Sequence, residues 1–109
     1  MNIGEFEEIV LLLVAYYDGD SYGLSITKAI EDDINRPVTL SSVHTALYRL
    51  EEKGLVVSSI GGATKKRGGR RKRLFEITDA GKKALVRARD SRRILYDKIP
   101  KHVLKDVKI

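Results

Sequence analysis

The sequence predicts a mainly α-helical fold that contains one small antiparallel β-hairpin. Three observations indicate this fold class. The first half of the chain has three segments with apolar residues at helical spacing, two short segments rich in Val, Ile, Leu and Phe flank a basic run, and a long helical segment follows. The length of 109 residues suits a single hydrophobic core.

The first predicted helix is apolar on nearly every side. Four of its apolar residues recur at helical spacing: Phe6, Val10, Leu13 and Tyr17. Further apolar residues lie between them, so this helix must be covered on more than one face. Asp18 and Gly19 break the pattern and end the helix.

The second predicted helix spans residues 22–34, with Ser21 as its N-cap. It ends before Pro37, because the residue that precedes a proline is disfavoured in the α region. Residues 38–40 are predicted to form a short extended piece before the third helix.

The third predicted helix has the most regular pattern. Ser41 is placed to cap it, apolar residues fall at i, i+3, i+4 and i+7 from Val43, and Gly54 provides a C-terminal stop. Its other side carries five polar or aromatic side chains: Ser42, His44, Thr45, Tyr48 and Arg49. These side chains are therefore available to contact another molecule.

Residues 55–60 and 73–77 are predicted to form two strands joined by a basic segment, residues 61–73. Thr78 then caps a long last helix that runs to about Ile99. Three helices, a hairpin and a final helix in this order indicate a winged helix-turn-helix with a C-terminal dimerisation helix. We place the DNA-binding domain in residues 1–77 and the dimerisation helix with its tail in residues 78–109.

The basic segment is the densest concentration of charge in the chain. Residues 1–60 have a net charge of −6, residues 61–73 of +7, and residues 74–109 of +5. Seven cations lie in the segment: Lys65, Lys66, Arg67, Arg70, Arg71, Lys72 and Arg73. Since such a run repels itself, it is tolerated most easily where a polyanion neutralises it, which favours nucleic acid as the partner.

Double-stranded DNA is the nucleic acid that this arrangement suits best. An α-helix fits the major groove, so the third helix would contact base edges while the basic segment lies on the backbone or in the minor groove. Arg49 is the first candidate for a guanine contact, because its guanidinium can donate two hydrogen bonds to O6 and N7. A contact of Arg49 with Glu52 or with a phosphate is the alternative.

The last helix is expected to form a dimer. Its residues at alternating spacings of four and three follow the coiled-coil pattern: Gly81, Leu85, Ala88, Arg92, Leu95 and Ile99. We expect this helix to meet its copy or the partner's first helix, and the alternative is that it packs on its own domain. A two-fold axis would place half-sites ~34 Å apart on a palindromic operator.

Other classes of function have less support. The sequence has no cysteine, and His44 and His102 lack metal-ligand spacing, so we expect no catalytic residue, metal or cofactor. The nine apolar residues 9–17 are too few for a membrane helix, and no signal-peptide pattern is present, so we expect a cytoplasmic protein. A winged-helix adaptor that binds protein and an RNA-binding module are the alternatives; RNA binding would call for more exposed aromatic residues.

Several short motifs occur in a fixed order along the chain: Gly4-Glu5-Phe6-Glu7, Tyr22-Gly23 with Ile26, Ser42-Val43, Leu47-Tyr48-Arg49-Leu50-Glu51, Lys53-Gly54-Leu55, Arg73-Leu74-Phe75 and Ile77-Thr78-Asp79-Ala80-Gly81. With these motifs, the chain resembles the PadR-like family of transcriptional regulators over about residues 4–85. The family usually has Tyr and then Pro where this chain has His44 and Thr45. The resemblance implies a dimer that represses neighbouring genes, of the short type with one helix after the hairpin, and a possible small-molecule effector.

The basic segment leads to a prediction about salt. If a dimer neutralises roughly six phosphates, a plot of log affinity for random duplex DNA against log salt has a slope near −5. Replacing Arg70 and Arg71 with alanine removes two cations per chain and should flatten the slope, as measured by fluorescence anisotropy. An unchanged slope would count against contact by the segment.

Overall fold

The computed structural model describes residues 3–61 and 72–109. In these ranges the elements are α1 (Glu5–Tyr17), α2 (Gly23–Ile34), α3 (Leu40–Glu52), β1 (Val56–Ile60), β2 (Arg73–Ile77), α4 (Asp79–Lys98) and α5 (Lys101–Leu104). The predicted mainly α fold with one hairpin is confirmed. The short α5, which follows Pro100, was not predicted.

The two strands form an antiparallel pair that runs from Val56 opposite Ile77 to Ile60 opposite Arg73. Beyond the last pair, the Gly61 N–H donates to the Lys72 carbonyl oxygen at 2.6 Å. The strands thus stay paired up to the point where the basic segment begins. Five of the seven predicted cations lie outside the described residues: Lys65, Lys66, Arg67, Arg70 and Arg71.

Ser21 adds a third position to this sheet. It forms an isolated bridge with Phe75, in which the Phe75 N–H donates to Ser21 O at 2.9 Å and the Ser21 hydroxyl donates to Phe75 O at 2.7 Å. The prediction that Ser21 caps α2 is wrong, because its fully buried hydroxyl is committed to β2. Tyr22 occupies the N-cap position instead.

The start of α3 also differs from the prediction. Residues 38–40 form no strand, and the helix already begins at Leu40. Its N-cap is Thr39, not Ser41, because the Thr39 hydroxyl oxygen accepts a hydrogen bond from the Ser42 N–H at 3.1 Å. Thr39 and Ser41 are close in sequence, and both residue types can cap a helix. The sequence pattern alone therefore could not identify Thr39 as the cap.

One core joins the first three helices to the hairpin. Its fully buried side chains are aliphatic apart from one phenylalanine: Val10, Leu11, Val14, Ile26, Ile30, Val43, Leu47, Leu50, Val56 and Phe75. The aliphatic core agrees with the low aromatic content of 6%. No helix in the described ranges combines the length and apolar character that membrane crossing requires.

The first turns of α4 pack on this core. Thr78 caps the helix, since its hydroxyl accepts from the Gly81 N–H at 3.1 Å and donates to the Gly54 carbonyl oxygen at 2.7 Å. Gly81 is buried directly against the Leu55 carbonyl oxygen, and Ala84 completes the contact. The core therefore extends past residue 78, while the second half of α4 lies outside it.

An ion pair ties α1 to α3. Lys53 Nζ lies 2.6 Å from Glu7 Oε1, and the same carboxylate accepts the Gly4 N–H at 3.3 Å. Burial acts to raise the pKa of Glu7. The hydrogen bonds from Lys53 and Gly4, together with the charges of Lys53 and Arg49, outweigh burial and lower this pKa below its ordinary value of 4.5.

Gly81→Ala should destabilise the fold, because a Cβ at this position overlaps the Leu55 carbonyl oxygen and α4 has to shift. We expect a loss of about 1–3 kcal/mol in the free energy of unfolding, measured by chemical denaturation. Lys83→Ala is the control, since it also introduces one alanine into α4 but at an exposed position. Equal stability of the two variants would contradict the close packing.

Glu7→Gln should lower stability in a pH-dependent way. Since the folded pKa of Glu7 is depressed, its contribution is present above the ordinary value of 4.5 and is lost as the pH falls through the folded pKa. We expect a deficit of about 1 kcal/mol at pH 7 that disappears in acid, measured by denaturation across pH. Glu31→Gln, which makes the same replacement at an exposed position of α2, is the control, and an equal deficit in the two variants would contradict the role of the ion pair with Lys53.

Candidate nucleic-acid interface

The outward face of α3 is polar and accessible. Four of the five predicted contact residues are exposed: Ser42, Thr45, Tyr48 and Arg49. They are exposed because the other side of the helix is committed to the core through Val43, Leu47 and Leu50, each at 0% exposure. The amphipathic pattern thus aims these four side chains away from the domain.

The two aliphatic hydroxyl groups on this face form hydrogen bonds with backbone carbonyl oxygens one turn earlier in the chain. The Ser42 hydroxyl donates to Thr39 O at 2.8 Å, and the Thr45 hydroxyl donates to Ser41 O at 3.1 Å. Each oxygen keeps acceptor capacity after donating its proton. Ser42 and Thr45 can therefore still accept a hydrogen bond from a base or a water molecule.

His44 differs from the other four residues. It is half-buried and turned toward α2, where its Nε2 atom occupies the space that a Cβ at Gly23 would need. Its ring centroid lies 6.2 Å from that of Tyr48. Gly23 therefore lets His44 fit between the two helices, and a base contact by His44 stays a prediction.

Arg49 is exposed, and the described part of the chain contains no ion pair between it and Glu52. It borders a cleft of about 660 Å³ between α3 and the start of α1, opposite Glu5 and Glu7. Each of these acids has another cationic partner, Arg36 at 2.9 Å and Lys53 at 2.6 Å respectively. The guanidinium of Arg49 is therefore left available for an external acceptor.

Lys72 and Arg73, at the end of the basic segment, contact the fold. Lys72 Nζ lies 3.8 Å from the centroid of the Tyr22 ring. Arg73 Nη1 donates to the Ser58 hydroxyl at 2.8 Å, and this hydroxyl donates to Glu51 Oε2 at 2.6 Å. Sequence reasoning missed these contacts, because no local pattern relates Tyr22 or Glu51 to the hairpin.

One side of α3 and the end of the basic segment border one groove of about 430 Å³, whereas Ser42, Thr45 and Arg49 line the separate cleft beside α1. Its walls come from the start of α2, from α3 and from β2, and they include His44, Tyr48, Lys72 and Arg73. Two predicted contact regions that are far apart in sequence thus lie on the same surface. Among the described residues, no cluster of three or more acidic, histidine or cysteine side chains could hold a metal ion.

The predicted dimerisation residues fall into three groups. Val10 has 0% exposure within its own chain, so the prediction that it contributes to a dimer surface is wrong. Four others are partly buried against the core: Phe6, Leu13, Tyr17 and Leu85. On the rest of α4, Ala88 is half-buried, Leu95 is 63% exposed, and Ile99 is half-buried at the end of the helix.

α4 and α5 together contain six exposed large apolar residues, and α1 contains two. The large apolar residues in question are Leu12, Tyr16, Val86, Ile94, Leu95, Tyr96, Val103 and Leu104. Between α1 and α4, Arg92 Nη1 lies 2.5 Å from Glu8 Oε2, and the Glu8 side chain is only 11% exposed. This ion pair fixes the side of α1 along which α4 runs.

The comparisons with known proteins agree with this architecture. The chain is similar to a transcriptional regulator from Clostridium thermocellum, at 28% identity and TM-score 0.68, over 94% of this chain and 92% of that one. A PadR-like transcriptional regulator from Bacillus cereus shares the fold with TM-score 0.73 at 17% identity, over 94% and 93% of the two chains.

A PadR family transcriptional regulator from Eggerthella lenta has TM-score 0.68 at 21% identity, over 91% of this chain and 83% of that one. Among curated protein sequences, none matches significantly. The model of the transcriptional regulator PadR-like family matches residues 10–87, which is most of the chain. The chain therefore belongs to the PadR-like family of transcriptional regulators.

Proposed function

We propose that this protein is a sequence-specific DNA-binding regulator that acts in the cytoplasm as a homodimer and represses its target genes. One observation carries the proposal. His44 and Tyr48 of α3 border the same groove as Lys72 and Arg73 of the basic segment, so a DNA duplex that meets α3 can also meet these two cations. Membership of a family of transcriptional regulators supports this function.

The exposed face of α3 suits the major groove. Ser42, Thr45 and Arg49 lie on successive turns, and the helix projects them from a rigid core. Arg49 forms none of the ion pairs seen among the described residues, and a guanidinium can bind guanine through two hydrogen bonds. We therefore assign base contact to Arg49 first, with Ser42, Thr45 and Tyr48 around it.

The distribution of charge supports contact with the DNA backbone. The acidic N-terminal part, with a net charge of −6 over residues 1–60, is separate in sequence from the +7 of the basic segment. Three of its glutamates form ion pairs with cations of the described chain: Glu5 with Arg36, Glu7 with Lys53 and Glu8 with Arg92. In the proposed complex, the cations of residues 65–73 contact phosphates or the minor groove.

The exposed apolar residues of α1, α4 and α5 support a dimer. Contiguous exposed apolar residues commonly mark an interaction surface, and a second copy would cover those of α4 around Leu95. In this dimer, the residues that are less exposed in the single chain would line the edge of the contact: Phe6, Leu13, Tyr17, Leu85, Ala88 and Ile99. Two-fold symmetry then produces half-sites ~34 Å apart on a palindromic operator. The same surface also suits a protein-binding adaptor, which is the second candidate function.

Selection of bound fragments from a random DNA pool tests the proposal. We expect the full-length chain to enrich an inverted repeat whose half-sites are about one helical turn apart. Light scattering should give the mass of a dimer in the same buffer. Recovery of no enriched sequence, together with binding of another protein through α4, would favour the adaptor.

Arg49→Ala should weaken binding to the selected site and leave binding to random duplex nearly unchanged. Loss of one bidentate guanine contact costs about 1–3 kcal/mol, whereas a phosphate contact weakens all sequences alike. Fluorescence anisotropy with both duplexes measures the difference. Arg93→Ala, which removes the same charge from an exposed position of α4, is the matched control. Equal losses on both duplexes would identify Arg49 as a phosphate contact.

A further inference from the structure

We propose that Tyr22 is a positioning residue for Lys72, a cation at the end of the basic segment, acting through a contact between its ring and the Lys72 ammonium group. This inference rests on the proposed function, because its role is to orient cations toward DNA. The contact joins the start of α2 to Lys72, where the described part of the chain resumes near the end of the basic segment.

The geometry is that of a cation–π interaction. Lys72 Nζ lies 3.8 Å from the Tyr22 ring centroid, well within the ~6 Å over which an ammonium group is attracted to an aromatic face. The attraction comes from the ring's quadrupole, so it depends on the aromatic face and not on the hydroxyl. Phenylalanine at position 22 would preserve the contact, and leucine would remove it.

The Tyr22 ring is attached to a well-fixed backbone. The Tyr22 N–H donates to the Ser25 hydroxyl at 3.2 Å, and this hydroxyl donates back to Tyr22 O at 2.9 Å. The preceding residue, Ser21, is paired with Phe75 in β2. Tyr22 is therefore held between the helix that it caps and the strand that follows the basic segment.

Lys72 lies where the chain returns from the basic segment to the sheet. Its carbonyl oxygen accepts the Gly61 N–H at 2.6 Å, and Arg73 begins β2. On the next residue, the Arg73 guanidinium is oriented by Ser58 and Glu51. The contact with Tyr22 thus holds a second side chain at the same end of the segment, against α2 instead of α3.

The Tyr22 contact favours one placement of the Lys72 ammonium group, in the groove that His44 and Tyr48 of α3 also line. Without this contact, the Lys72 side chain samples more rotamers, and DNA binding has to restrict them at an entropic cost. Tyr22 should therefore influence DNA affinity without touching DNA.

Proton NMR of the full-length chain tests the contact in the absence of DNA. In the wild type and in Tyr22→Phe, ring current should shift the Lys72 ε-methylene protons upfield of those of the other lysines. In Tyr22→Leu the shift should vanish. An unshifted Lys72 signal in the wild type would overturn the proposal.

A double-mutant cycle tests the role in binding. Tyr22→Leu should weaken random duplex binding by about 2- to 5-fold in the wild type, and by the same factor in a Lys28→Met background. In a Lys72→Met background it should have no further effect. Lys28 is exposed on α2, so its substitution removes the same charge without touching the ring contact. Tyr22→Phe should bind like the wild type.

Two results would contradict the proposal and one would contradict the proposed function. A loss in Tyr22→Phe would point to a direct contact of the hydroxyl with DNA, and an undiminished effect of Tyr22→Leu in the Lys72→Met background would show that Tyr22 acts otherwise. Absence of duplex binding by the wild-type chain would overturn the DNA-binding function itself, while the NMR shift would still report the ring contact.

Discussion

The pairing of Ser21 with Phe75 is the constraint on which the proposed interface depends. A two-stranded hairpin is marginally stable by itself in water, so β1 and β2 need a partner. Ser21 supplies it with two hydrogen bonds across the edge of β2, and burial of Phe75 at 2% exposure places the strand against the helical core. The groove that combines α3 with the end of the basic segment exists because the hairpin is attached there.

The acidic residues of α1 and the exposed arginine of α3 have different roles in the structure. Glu5, Glu7 and Glu8 of α1 pair with cations from the loop after α2, from the end of α3 and from α4. Each pair connects two elements of the fold but adds little to the free energy of unfolding, because most of the paired side chains are partly exposed. The exposed face of α3 contains Arg49 and forms no ion pair among the described contacts. Arg49 is therefore available to bind a molecule outside the domain.

Much of the fold could be predicted from sequence because local patterns decide it. The spacing of Val43, Leu47 and Leu50 determined which face of α3 is buried, and the Thr78 cap and both strands were recognised from composition. The Ser21 bridge, the Tyr22 contact with Lys72 and the Glu51–Ser58–Arg73 chain were missed. Each joins residues far apart in sequence, and such a pairing leaves no periodic signal along the chain.

The exposed residues of the site were predicted better than their roles. An amphipathic pattern identifies Ser42, Thr45, Tyr48 and Arg49 as outward residues, but it cannot show that His44 leans on α2 or that Val10 is enclosed by its own domain. Both depend on the crossing of helices, which is set by side-chain volumes in the core.

The fit of His44 against Gly23 separates position 44 from the outward positions of α3. Under the proposed function, substitutions at the outward positions would alter what the helix offers to bases and leave the core of the domain unchanged. Position 44 instead packs against α2, and a side chain larger than hydrogen at position 23 would collide with His44. In this scheme, the outward residues of α3 determine which bases are contacted, and position 44 contributes to the packing of α3 against α2.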